Sequence, residues 1–480
     1  MDAWPVTCSR IARGNDVGLT DILTNARDAM TAQTFGLTVT GQNVSNVNTP
    51  GYVRRQALLE TRDMGPGAFG GVSVAGIRRV ADEFINQRHL SLTGLSSEAS
   101  SRDQLLGQAE ALFNDFAGTG LSSSMNSMFS SFSALSALPN DPTTRSTVLE
   151  RAATFANQVR STADQISNFR TELFSQARDV VTDINQKLES IAEISGRINE
   201  ATASGQEASD LKDLRDAKLI ELTQLVEVRT YTDGNGQLVV QGPGITLLQG
   251  DHARKLTLDV AGDGSLHVFA QTSAGAAGGD VTQLLSGGEL AGILHVRDGD
   301  MVEMQNDLDE FAFHLANQVN SVHSAGVGLD GQSGRALFSV SATVAGAAGS
   351  LALSADVAGQ PDRVAAASSV ATLPGDGGHA LLLAGVADSP ITGLGDMDPG
   401  EAYGRLVGRV GQRKSQAAST LANREAMAAQ VQTMRDSVSG VSLDEEMVAM
   451  TQYQRAFEAA SRVFTTADRL LEDLINTLGR

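Results

Sequence analysis

The sequence predicts a multidomain α+β protein, in which a discontinuous terminal coiled coil and a stalk of long bundled helices carry an inserted β-rich outer module. Apolar residues recur at helical spacing near both ends of the 480-residue chain, and long helical patterns continue inward from each end. Two interior stretches instead alternate apolar and polar residues or are rich in Gly, Ala and Ser, which favours short strands and turns.

The composition narrows the classes of partner. Hydrophobic residues make up 41% of the chain but aromatic residues only 4%, so the cores must be built from small and aliphatic side chains. A net charge of -20 repels phosphate backbones, which argues against a nucleic-acid partner. No apolar run approaches the ~18 residues of a membrane span, so we expect no membrane partner. The single cysteine, Cys8, taken alone favours a cytosolic protein, although a chain exported unfolded through a narrow conduit would also have to avoid disulfides.

The first residues, 1–18, are predicted to be a non-native or disordered leader. Met1 to Asp16 shows no periodicity and has no apolar segment of the kind found in a Sec signal. We therefore expect the native chain to begin near Val17.

The terminal coiled coil is predicted over 19–60 and 440–480, because each segment carries apolar residues at seven-residue spacing. Such a row alone is typical of the core-facing side of an ordinary helix. Here, however, the paired ends have no further core of their own, and an isolated helix pair is marginal in water. We therefore predict a subunit interface at Leu23, Met30, Leu37, Val44, Leu443, Met447, Met450, Tyr453, Phe457, Phe464, Leu471 and Leu474. For the same reason, both ends should be largely disordered before assembly.

The helical stalk is predicted over 61–227, 281–335 and 396–439, and the β-rich outer module over 228–280 and 336–395. Within the stalk, long helices are predicted over 143–203 and from about 209 to 225. The turn sequences Asp233–Gly236 and Gly262–Gly264 each lie between alternating segments and predict two hairpins. Strand signals in 336–395 are short and scattered.

Two motifs mark the inner ends of the terminal segments. The first has three asparagines, Asn43, Asn46 and Asn48, followed by Pro50, Gly51 and Tyr52, which suits the exit from a helix. The second begins at Ser439, continues through Leu443, and includes Gln454 and Arg455. Within it, Glu445 and Glu446 are too poorly aligned for acid/base chemistry, and we expect them to stabilise the start of a helix through its dipole.

Together these motifs resemble the N-terminal and C-terminal signatures of the flagellar axial proteins, which form the rod, the hook and the hook–filament junction. Interior segments such as Asp213-Leu214-Arg215-Asp216 are similar to the hook-associated members. The resemblance implies a structural subunit that joins hook to filament outside the cell. It implies export by the flagellar type III apparatus without a cleaved signal peptide. It also implies partners: copies of the same chain, the hook protein, the adjacent hook-associated protein on the filament side, and an export chaperone at the C-terminal helix.

No catalytic, cofactor-binding or metal-binding residues are predicted. The chain lacks the Gly-x-Ser-x-Gly and His-Glu-x-x-His motifs, and a calcium loop starting at Asp233 would have Gly244 in place of its final glutamate. Two alternatives stay open: another axial component such as the hook protein, and a secreted enzyme with a polar site in the β-rich module.

Overall fold

The structure is a computed structural model that describes residues 18–62, 70–113, 120–271 and 278–478. The predicted leader lies outside the described residues, apart from Gly18. The first half of the chain forms α1 (Leu19–Ser45), β1 (Arg55–Thr61), β2 (Val72–Arg79), α2 (Glu83–Leu112), α3 (Leu121–Ala137), α4 (Pro142–Ala203) and α5 (Ser209–Leu225).

Six strands follow, and then a return through helices. The strands are β3 (Arg229–Thr232), β4 (Leu238–Gly242), β5 (Ile245–Gln249), β6 (His252–Ala253), β7 (Leu256–Val260) and β8 (Leu266–Ala270). The return comprises α6 (Glu289–His295), a π-helical turn (Val296–Asp300), α7 (Met301–Ala325), β9 (Phe338–Ser339), α8 (Ala347–Ser350), β10 (Ala352–Leu353), α9 (Gly378–Ala384), α10 (Pro399–Ser439) and α11 (Leu443–Leu478).

Helix α4 is the axis of the molecule, and its 62 residues span about 90 Å at 1.5 Å per residue. Asp141 caps its start by accepting a 2.8 Å hydrogen bond from the amide of Thr144, and Pro142 occupies the first turn, where no amide donor is needed. A buried apolar stripe then follows the whole helix, from Val148 to Ile198. Helices α3, α5, α6 and α7 pack on this stripe, and α2 packs along α10. We call α2 to α10 the body.

The two predicted hairpins are confirmed. Antiparallel β3 and β4 flank the turn at Asp233–Gly236, and antiparallel β7 and β8 flank the turn at Gly262–Gly264. The order of the four-stranded sheet is β3-β4-β5-β6. Asp233 Oδ1 accepts hydrogen bonds from the amides of Asn235 and Gln237, so this carboxylate closes the turn.

The prediction of β-rich structure over 336–395 is wrong. The segment contains only the two-residue strands β9 and β10 among its described residues; the rest is short helices and turns. Small buried residues such as Ala348 and Ala366 let it lie close against the body. Part of its backbone is bonded by a side chain of a neighbouring helix: Asp309 on α7 accepts hydrogen bonds from the amides of Gly346 and Ala348.

The two stretches assigned to one outer module also lie far apart on α4. The 336–395 segment meets its start, where Arg145 Nη1 donates to the carbonyl of Val364 at 2.7 Å. Strand β7 meets the later part of α4. There the side chain of Asn185 donates from Nδ2 to the backbone carbonyl of Leu256 and accepts at Oδ1 from the backbone amide of Leu256. Arg145 and Asn185 are separated by about 60 Å along the helix. The predicted single module is therefore replaced by two separate surface elements, while the domain boundaries in the stalk stay predictions.

A buried histidine makes the stability of the body depend on pH. His323, near the end of α7, is 1% exposed; its Nδ1 lies 2.8 Å from the carbonyl of Arg335, and its Nε2 accepts from the amide of Ala365. Both contacts suit the neutral imidazole, and burial lowers the pKa of His323 to about 4. Between that value and the ordinary value of 6.5, the unfolded chain binds the extra proton.

Stability should therefore fall as the pH falls through that window, by up to about 3 kcal/mol. Denaturant unfolding of the native chain and of His323→Gln at pH 7, 5.5 and 4.5 measures the effect. We expect a smaller loss of stability at low pH in the variant. Parallel pH profiles would contradict the role given to His323.

Candidate functional site

The two terminal helices lie against each other, as expected from the apolar rows at both ends. They run antiparallel: Asn43 near the end of α1 meets Glu446 near the start of α11, and Gly36 meets Tyr453 further along. We call α1 and α11 the terminal pair.

The α1 side of the contact is made of small residues. Ala26, Ala32, Gly36 and Val39 are buried on α1, which packs on both α11 and the β1–β2 hairpin. A Cβ atom placed on Gly36 would lie 2.5 Å from Cε1 of Tyr453, so the tyrosine ring packs directly on the glycine backbone. Close approach of the two helices therefore depends on the absence of a side chain at this position.

On α11, part of the predicted interface row faces this contact. Its half-buried members are Met450, Tyr453, Phe457, Phe464 and Leu471. Leu443, Met447 and Leu474 belong to the same prediction but are exposed, with 62% of Met447 and 50% of Leu474 accessible.

On α1 the seam within the chain differs from the predicted one. Leu23, Met30, Leu37 and Val44 are only half-buried, and the last three directly follow Ala29, Gly36 and Asn43 along the helix. One residue rotates the side chain by about 100°, so this row lies beside the small-residue face. The large side chains of α11 can pack closely only against small residues of α1, as Tyr453 does against Gly36. The apolar spacing in the sequence instead predicted the larger residues of α1 as the contact. The assignment of all these residues to an interface between subunits stays a prediction.

Apolar surface remains exposed on α11 after the helices have paired. The side chains concerned are those of Met447, Val448, Val463, Leu470, Leu474 and Ile475. Exposed apolar side chains gathered on one element typically mark a protein interaction site.

Asn43 ties the terminal pair to the strand that leaves it. It is 1% exposed, and its Nδ2 donates to Glu446 Oε2 at 3.0 Å and to the carbonyl of Arg55 at 2.8 Å. Its Oδ1 accepts from the amide of Arg55 at 3.0 Å and from the hydroxyl of Tyr52 at 2.9 Å. Both N–H donors and both acceptor positions of the side-chain amide therefore have partners. This one side chain links α1, α11, the turn and β1.

Glu446 also bonds Arg54, the residue directly before β1. Arg54 Nε donates to Glu446 Oε1 at 2.8 Å, and Arg54 Nη1 donates to Glu445 Oε2 at 2.6 Å. The side chain of Glu446 is 3% exposed and that of Glu445 is 63% exposed. The expectation that both glutamates act only through the helix dipole missed this buried contact, because its partner lies at the other end of the sequence.

Arg55 points to the body. Its Nη2 lies 2.5 Å from Asp210 Oδ1 and 2.8 Å from Asp213 Oδ2, both on α5. Arg79, at the end of β2, also bonds Asp213, with Nη2 at 2.6 Å. The guanidinium of Arg55 lies 4.9 Å from the centre of the Tyr52 ring, and burial raises the pKa of that tyrosine. This cluster fastens the β1–β2 hairpin to the body.

The other signature residues have different positions. Asn46 Oδ1 accepts from the hydroxyl of Thr49, and Gly51, after Pro50, has a φ of +80°, which suits glycine. Asn48, Gln454 and Arg455 are exposed. The turn residues therefore shape the exit of α1, whereas these three side chains face away from the fold.

Within the described parts of the chain, no three His, Cys, Asp or Glu side chains gather in a way that could hold a metal ion. In the same parts, every helix is too short or too polar to cross a membrane.

Comparisons with known proteins agree with this architecture. A family described as the flagellar hook-associated protein FlgK helical domain matches residues 106–338, and one described as the flagellar basal body rod FlgEFG protein C-terminal matches 433–477. Flagellar hook-associated protein 1 of Bacillus subtilis is 27% identical, with 95% of this chain and 98% of that protein covered. The protein of the same name in Salmonella typhimurium is 25% identical, with 95% and 100% covered.

The fold is shared with a solved structure. The flagellar hook junction protein FlgK from Burkholderia pseudomallei superposes with a TM-score of 0.64 at 18% identity, covering 74% of this chain and all of that one. This chain is therefore similar to flagellar hook-associated protein 1 over 95% of its length, matches the model of the FlgK helical domain, and shares its fold with a FlgK structure.

Proposed function

We propose that the chain is a structural subunit of the bacterial flagellum that polymerises at the hook–filament junction and serves as an adaptor between hook and filament. The observation that carries the proposal is the apolar surface of α11 that stays exposed after pairing with α1, including Val463 and Leu470. Neighbouring copies of the chain would cover this surface, because covering apolar area is the main favourable term in association. The names of the relatives support the location.

The arrangement also suggests how the subunit is layered. The terminal pair forms the inner part of the assembly, and the body with its two surface elements lies outside it. The hook protein and the adjacent hook-associated protein would contact the subunit from either side. Before export, a chaperone would cover the apolar face of α11, and the chain would leave the cell without a cleaved signal peptide. The proposal assigns no catalytic activity and no cofactor.

Electron microscopy of a deletion strain tests this function. We expect intact hooks without filaments, and filament subunits released into the culture medium. Cells without hooks would instead support the alternative of a hook component. Normal filaments would contradict both.

Charge introduced into the face of α11 should block assembly. Met450→Asp or Phe457→Asp places a carboxylate in a half-buried apolar contact, at a cost of about 2–4 kcal/mol. We expect incorporation into flagella to be lost while the unfolding midpoint of the purified full-length chain, which reports on the body, is unchanged. Thr465→Asp is the control, because Thr465 is exposed on the side of the same helix that faces away from Val463 and Leu470. Normal motility of the first two variants would refute the assignment of this face.

A further inference from the structure

The chain connects the terminal pair to the body twice, once after α1 and once between α10 and α11. The two connections meet at Arg54. The amide of Arg54 donates to the carbonyl of Ser439 at the end of α10, at 2.9 Å. Its carbonyl accepts from the amide of Val80, just after β2, at 2.8 Å. The main chain at Arg54 is therefore held by the hairpin and the body, independently of the terminal helices.

The side chains of Arg54 and Arg55 reach opposite partners. Successive side chains of an extended segment point to opposite faces. Arg54 accordingly reaches Glu446 on α11, and Arg55 reaches Asp213 on α5, each at 2.8 Å. Guanidinium groups suit such sites because their donors form a rigid fork that matches carboxylates.

We propose that these adjacent arginines form a two-sided joint that fixes the direction in which the terminal pair leaves the body. This inference rests on the proposed function, because a fixed direction matters only if the pair must meet neighbouring copies. Arg55 anchors the start of β1 to the body. Arg54 then holds the start of α11 by donating to the carboxylate of Glu446. Asn43, on α1, donates to the same carboxylate. Each terminus thus supplies part of the site that positions the other.

The joint predicts different effects for the two neighbouring arginines. Arg55→Ala breaks the contact between the β1–β2 hairpin and the body and should lower the unfolding midpoint of the purified full-length chain by several degrees, on the order of 2–4 °C. Arg54→Ala and Glu446→Ala should leave that midpoint unchanged within about 1 °C. Both should nevertheless reduce incorporation into flagella about tenfold, because a buried charge loses its partner.

The chain offers matched controls for each change. Glu445→Ala removes the exposed neighbour of Glu446, which bonds the same arginine, and should change incorporation less than about twofold. Arg78→Ala removes an exposed arginine of the same hairpin that bonds Gln56, and should behave like the native chain. Arg54→Lys keeps the positive charge but lacks the planar set of guanidinium donors. It should therefore be incorporated better than Arg54→Ala but less well than the native chain.

A double variant tests whether the two side chains act through each other. Arg54→Ala combined with Glu446→Ala should reduce incorporation no more than either change alone. The joint is overturned if the two reductions multiply, if Glu446→Ala behaves like Glu445→Ala, or if Arg54→Ala and Arg55→Ala show the same pattern. Absence of the native chain from flagella would refute the proposed function, whereas these outcomes refute only the joint.

Discussion

Gly36→Val is expected to prevent the terminal helices from pairing and to abolish incorporation of the chain into flagella. Even a Cβ atom at this position would lie 2.5 Å from the ring of Tyr453, and the ring atoms Cζ and Cδ1 are also closer than 3.0 Å. The two branches of valine would force the helices apart along the whole seam. Overpacking of this kind costs about 3 kcal/mol, which corresponds to roughly a hundredfold weaker pairing.

A second glycine of the same helix provides the control. Gly41 has nothing within 4 Å of an added Cβ, so Gly41→Ala should instead favour the helix by about 0.5–1 kcal/mol. Incorporation is measured as the share of each variant found in sheared flagella rather than in the medium. Equal incorporation of Gly36→Val and Gly41→Ala would contradict the observed seam.

Asn43→Asp should have an effect of similar size for an electrostatic reason. The change removes both donors of the amide and places a second carboxylate about 3 Å from that of Glu446, which is buried. Burying an uncompensated charge costs about 3–5 kcal/mol. We expect loss of incorporation into flagella, because the terminal helices cannot pair around two neighbouring buried carboxylates.

The same substitution at a neighbouring signature asparagine gives the comparison. Asn48 is exposed, so Asn48→Asp should keep incorporation near the native level. Incorporation of Asn43→Asp at the native level would show that the bonds around Asn43 do not matter for assembly.

Much of the helical architecture can be read from the sequence. The range predicted for the longest helix, 143–203, differs by one residue from α4, because Asp141 and Pro142 mark its start and an apolar stripe continues to its end. The segment 209–225 was predicted with the bounds of α5. By contrast, α3 was not predicted, since many of its residues are serines, which have no strong helical preference.

The hairpin β1–β2 was also missed, and 61–79 was assigned to the helical stalk. Most of its residues are half-buried or exposed, so its alternation is weak. The error in 336–395 has another cause: short apolar runs between glycines fit strands and packed turns equally well.

The positioning contacts could be predicted only in part. The resemblance singled out Asn43 and Tyr52, but Glu446 was interpreted as a helix-dipole residue, and Arg54 and Arg55 were given no role. Their partners lie 155 to 403 residues away in sequence. Pattern reasoning identifies which residues share a face of one element, whereas contacts between remote elements need the fold.

Hydrogen exchange of residues 19–45 and 443–478, compared between the dilute monomer and assembled flagella, tests the central claim most directly. That claim is that the terminal pair becomes fully covered only among copies of the same chain. We expect fast exchange of these two segments in the monomer, slow exchange in flagella, and protection of α4 in both. Terminal helices as well protected in the monomer as in flagella would contradict the account.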